Sequence, residues 1–107
     1  MDPSRFKQLS LAEQMGNIGS ELARMQHWEN LGDPHQREKA FFRALELIDL
    51  TLSDSRWQKR LKEIARLREV VCDCYCGQKI YHAVLKDIVE YCTNFAIYAR
   101  RRLKVTL

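Results

Sequence analysis

Three cysteines stand within five residues, Cys72-Asp73-Cys74-Tyr75-Cys76, and thiols that close together invite a metal. Zinc asks for four ligands in a tetrahedron, commonly from paired Cys-x₂₋₄-Cys spacings. On a helix Cys72 and Cys76 share a face, whereas Cys74 points about 160° away from both. One metal can therefore take all three only if the helix end unwinds, and Cys92 and His82 could join only through tertiary contact. The other reading makes these cysteines small apolar fillers between packed helices. That reading is adopted here: no metal and no cofactor are expected, and Cys76, beside Gly77, is the expected oxidisable thiol.

The histidines are His27, His35 and His82. A di-iron bundle needs Glu-x-x-His on facing helices, and none of the three has a glutamate three residues before it. The Arg-then-His spacing of helical toxin-class ribonucleases is missing as well. The chain carries neither a Gly-x-x-x-x-Gly-Lys phosphate loop nor a Gly-x-Ser-x-Gly elbow. A Cys–His couple between Cys76 or Cys92 and His82 would rest on residue types alone. The expectation is a non-catalytic protein.

Charge is informative in two ways. Residues 1–54 hold six Lys/Arg and nine Asp/Glu, and residues 55–107 hold twelve and five, so the halves carry net charges of −3 and +7. This fits acidic and basic helices packed side by side, or a basic face meeting an acidic partner such as nucleic acid. The second reading would use Lys59, Arg60 and Arg66, with Arg100, Arg101 and Arg102 near the C-terminus. Those last three also complement a helix macrodipole. Arg68 falls on the apolar side of its segment, between Ile64 and Val71, where a guanidinium is costly unless paired. Glu21, Glu29 and Asp49 are its candidate partners, either in a buried ion pair that fixes helix register or around an anion site.

The elements that position these residues are helices. Ser10-Leu11-Ala12-Glu13 is a capping box, and Leu11, Met15, Ile18, Leu22 and Met25 follow at spacings of 4, 3, 4 and 3. Gly19 flanks this stripe and marks a place where a neighbour could come close. Gly32-Asp33-Pro34 stops the helix and starts the next, whose stripe is Phe41, Leu45, Ile48 and Leu52. Ser53-Asp54-Ser55 caps a third, and Gly77 closes it. A fourth carries Val84, Ile88, Cys92, Phe95 and Ala99. No alternating strand pattern occurs. The spacing predicts helices near 10–30, 34–52, 55–76 and 79–103, a flexible N-terminal arm over 1–9, and one domain over 1–107. Similar lengths and short connections predict an all-α, antiparallel four-helix bundle.

Asn17-Ile18-Gly19 and Ala44-Leu45-Glu46-Leu47 resemble parts of a tetratricopeptide helical hairpin, over residues 12–19 and 32–47. Arg37 stands where that motif carries a small residue, and no second copy follows. Ala44-Leu45-Glu46-Leu47 with Arg66-Leu67-Arg68-Glu69-Val70-Val71 also resembles small uncharacterised bacterial helical proteins. Both resemblances imply helix-hairpin packing and no activity.

Some apolar residues leave the inward stripes. Leu50 and Ile97 point outward on the helical wheel, and Ile80, Tyr91 and Tyr98 line a flank of the last helix. Such a stripe is a candidate partner surface. No apolar run approaches the roughly 18 residues that span a bilayer, and Met1–Arg5 leads to no signal-peptide core. The expectation is a cytoplasmic helical protein-protein interaction or structural module with reduced thiols. It would associate with itself or another protein, not with membrane. Nucleic-acid binding through the basic half is the alternative.

Overall fold

The computed structural model describes residues 2–77 and 84–106, with side chains of the last helix described as far as Ile97. All of its regular structure is helical: α1 Pro3–Phe6, α2 Leu11–Asn30, α3 Pro34–Leu52, a 3₁₀ helix Ser55–Arg60, α4 Leu61–Cys76 and α5 Leu85–Thr106. No strand occurs among the described residues.

The boundaries follow from local chemistry. Ser10 Oγ accepts from the Glu13 amide while the Glu13 carboxylate accepts from the Ser10 amide, each at 3.2 Å, so the expected capping box opens α2. Gly32 takes the turn after α2 at φ +72°, a region open to glycine at no steric cost. Asp33 then caps α3, accepting from the Gln36 amide at 3.1 Å, with Pro34 at the first helical position.

Every helix feeds one apolar core. Phe6 comes from α1, Met15, Ile18 and Leu22 from α2, Phe41 and Ile48 from α3, Ile64 and Val71 from α4, and Ile88 and Cys92 from α5. The central member is α2, which packs along α3 on one side and α5 on the other. The α2–α5 seam is made of small residues. A Cβ placed on Gly19 would meet Cys92 Cβ at 2.9 Å, and one on Gly16 would meet Ala96 Cβ at 3.6 Å. The close approach expected at Gly19 is thus real, and its neighbour is Cys92.

Three expectations are corrected. Residues 1–9 are no loose arm: Phe6 is fully buried, and the arm's backbone is held from the body. The Gln14 amide donates to Phe6 O at 3.1 Å, and Arg56 Nη2 donates to Lys7 O and Leu9 O at 2.6 and 2.9 Å. Nor is 55–76 one helix. Asp54 accepts from both the amide and the side chain of Arg56, and Trp57 leaves helical geometry at φ −107°, ψ 23°. Its indole N–H then donates to Gln14 Oε1 at 3.0 Å, satisfying a polar group that a regular helix would have to orient otherwise. Leu50, expected outside, packs against the core from a half-buried position.

The seam gives opposite outcomes for two similar substitutions. Gly16→Ala should be neutral or stabilising by up to about 1 kcal/mol, because Ala favours helix and its Cβ fits. Gly19→Ala gains the same propensity but collides with Cys92, and should cost a net 1–3 kcal/mol or so in chemical denaturation. The arm gives a pH dependence. Hydrogen bonds from Arg56 hold the Asp54 carboxyl down, from 3.8 to about 2. Its contribution is complete above the ordinary carboxylate value and shrinks as pH falls toward 2. Asp54→Asn should lower stability at neutral pH and flatten this part of the acid limb of a stability–pH profile.

Candidate interaction groove

The last two described helices meet sparingly. α4 and α5 are joined at one level, where Tyr91 meets Glu63. Between them lies a groove of about 340 Å³. Its floor is Leu67, Val70, Ile88 and the ring of Tyr91; Glu63, Arg66 and Asp87 stand at its rim. The apolar floor arises because each helix offers its stripe to the core, and α4 and α5 touch too little to cover the shoulder of each stripe.

One end of the groove is closed by a polar clasp. The Tyr91 hydroxyl donates to Glu63 Oε1, and Arg60 Nε donates to Glu63 Oε2 at 2.9 Å. The Arg60 guanidinium also lies 4.8 Å from the centroid of the Phe95 ring, a cation–π contact. The Arg60 hydrogen bond holds the Glu63 carboxyl below its usual range. Burial, and then the hydrogen bond to Glu63, push the Tyr91 hydroxyl well above 10.

Of the expected partner-surface residues, Tyr91 lines this groove and is 39% exposed, while Ile97 is 42% exposed. Ile97 lies about 120° around the helix from Tyr91, so the two do not form one stripe. Ile80 and the Tyr98 side chain lie outside the described residues. Of the expected nucleic-acid contacts, Arg60 is committed to Glu63, Arg66 stands at the groove rim and Lys59 is exposed. The side chains of Arg100, Arg101 and Arg102 lie outside the described residues.

Arg68 does meet Asp49, Nε to Oδ1 at 2.7 Å, but the pair is superficial, with the two side chains 41% and 53% exposed. The expected burial is therefore corrected. The core arc of α4 is Ile64, Leu67 and Val71, and Arg68 sits on its shoulder toward α3. The other two expected acids do not join Asp49 there. Glu21 pairs with Arg24 on its own helix at 3.2 Å, and its Oε2 is buried without a hydrogen bond. Glu29 is exposed at the far end of α2. These residues therefore make no anion site together.

Cys72 and Cys74 are half-buried, Cys76 exposed and Cys92 buried. Burial pushes the Cys92 thiol up to about 12 and raises Cys72 and Cys74 as well. These three are thus protonated at neutral pH and poor nucleophiles. Among the described residues no group of three or more His, Cys, Asp or Glu could hold a metal, and His82 lies outside them. No helix among the described residues is long and apolar enough to cross a membrane.

Sequence reasoning missed three residues. Gln14 is fully buried and joins the arm, α2 and Trp57; its place between Leu11 and Ile18 on the core arc was the available signal. Arg56 carries no signal in the sequence beyond its charge. Arg37 reaches across to α4, donating to Tyr75 O at 3.2 Å and lying 4.5 Å from the centroid of the Tyr75 ring. Tyr75 in turn stacks on Phe41 at 3.8 Å. Comparison with protein-family models, curated proteins and solved structures finds no match to this chain.

The clasp is open to titration. With its pKa raised in the folded state, Tyr91 contributes stability fully below pH 10 or so and loses it as pH rises through the folded value. Absorbance at alkaline pH should show the Tyr91 hydroxyl ionising well above pH 10. Glu63→Gln should bring that ionisation back toward the ordinary value.

Proposed function

We propose that this chain is a small non-catalytic interaction or structural module that associates with itself, built as one antiparallel four-helix bundle. The bundle reading is supported by residue pairings that run in opposite senses at two helix contacts, α2 with α5 and α3 with α4: Gly16 with Ala96 and Gly19 with Cys92, Arg37 with Tyr75 and Asp49 with Arg68. The functional reading is carried by one observation, the apolar groove between α4 and α5 beside the exposed Tyr91. A groove with an apolar floor and a charged rim has the anatomy of a recognition surface. None of the described cysteines is in a disulfide, which supports a reducing, cytoplasmic setting.

Nucleic-acid binding is the second reading, favoured by the +7 charge of residues 55–107. The clasp weakens it, because Glu63 already neutralises Arg60. One pair of measurements separates the two. Sedimentation velocity over a concentration series should show a monomer giving way to a larger species. Titration with random RNA and DNA should give dissociation constants weaker than about 1 μM at physiological salt, falling steeply in affinity as salt rises. Tight, sequence-selective binding by a monomer would reverse the order of the two readings.

A further inference from the structure

We propose that Cys72 and Cys76, at the C-terminal end of α4, form a two-coordinate site for a soft monovalent metal ion of the Cu(I) kind. The site does not depend on self-association and adds a ligand that neither reading of the function includes.

The pair is set by helix geometry. Cys76 is the last residue of α4, and Cys72 stands one turn before it. Residues four apart lie one above the other, with Cβ atoms about 5–6 Å apart, and helical side chains lean toward the N-terminus. The Cys76 side chain therefore leans back toward Cys72, and a charge on Cys76 is felt at the Cys72 thiol. A disulfide needs Cβ atoms about 3.5–4.5 Å apart, so the pair does not close on itself while the helix holds. A metal between the sulfurs fits the wider spacing: two thiolate–metal bonds of about 2.3 Å each hold the sulfurs up to about 4.6 Å apart. Cys76 is exposed and Cys72 half-buried, which gives the ion an approach from solvent.

The surroundings choose the ion. Thiolates select soft metals, but zinc and iron–sulfur clusters ask for four protein ligands in their structural sites. Among the described residues no group of three or more His, Cys, Asp or Glu could hold a metal. Cys74 faces elsewhere, lining a separate pocket with Met25 and Glu29 of α2. Cu(I) is satisfied by two thiolates. As it binds, both thiol protons pass to solvent, and the bis-thiolate with its ion carries one net negative charge. Arg68, one turn before Cys72, meets that charge. Its Nη1 donates to Cys72 Sγ at 4.0 Å, while Asp49 Oδ1 accepts from its Nε at 2.7 Å. A guanidinium oriented by a carboxylate and aimed at a ligand sulfur is the outer support that metal ligands commonly have.

The test uses the full-length chain, reduced and kept from oxygen, with Cu(I) supplied on a chromogenic chelator. The chain should withdraw one ion per monomer, with helix content by circular dichroism unchanged and no competition from an equal amount of Zn(II). Cys72→Ser and Cys76→Ser should each abolish this binding, and Cys74→Ser should keep it. Should Cys72→Ser fail to fold, Cys76→Ser, at an exposed position, still decides. Arg68→Ala should weaken binding about tenfold or more. No transfer of Cu(I) to the wild-type chain would overturn the site. So would equal loss in Cys74→Ser, or one ion bridging two chains by sedimentation. Unchanged affinity in Arg68→Ala would overturn the part given to Arg68.

Discussion

The absence of a side chain at Gly19 governs how the helices are placed. Helices with ordinary side chains at their contact keep their axes about 8–10 Å apart. At Gly19 the backbone of α2 is bare, and Cys92 of α5 comes so close that even a methyl group would overlap it. Gly16 and Ala96 continue the seam, so α5 lies along α2 rather than midway between its two neighbours. The opposite edge of α5 is then left without close cover from α4. The clasp of Tyr91, Glu63 and Arg60 bridges that edge at one level, and the groove occupies the rest. The candidate surface is in this sense a consequence of the seam.

A second constraint ties the chain's first residues to its middle. Gln14 is buried in the apolar core with both ends of its amide engaged, as a buried polar group must be. It accepts from Trp57 and donates to the backbone at Phe6. Arg56, oriented by Asp54, holds two further carbonyls of the arm. One polar cluster therefore positions α1 and fixes the break at Trp57, within the 3₁₀ helix that leads into α4.

Much of this was legible in the residues. The stripe from Leu11 to Met25, the capping box at Ser10 and the stop at Gly32-Asp33-Pro34 give α2 and α3 within a residue, because caps and periodicity are local properties. The close approach at Gly19 was legible as a glycine beside a core stripe, though not its partner, which lies 73 positions away. The arm was misread because short apolar segments carry no periodicity, and Phe6 is buried by contacts that only the folded chain supplies. Arg68 was misplaced because a wheel fixes angles within a helix but not the direction of its neighbours. The groove was legible only through Tyr91 and Arg66, since Leu67 and Ile88 on its floor are buried core residues.

The central claim is that direct contact between Gly19 and Cys92 sets the spacing of α2 and α5. A double-mutant cycle on folding stability tests it, with Gly19→Ala, Cys92→Gly and the combination. Removing the Cys92 Cβ makes room for the methyl at position 19, so Gly19→Ala should be far less costly in the Cys92→Gly background. A coupling of about 1–2 kcal/mol in the relieving direction is expected. Additive effects, with Gly19→Ala equally costly in both backgrounds, would contradict the account.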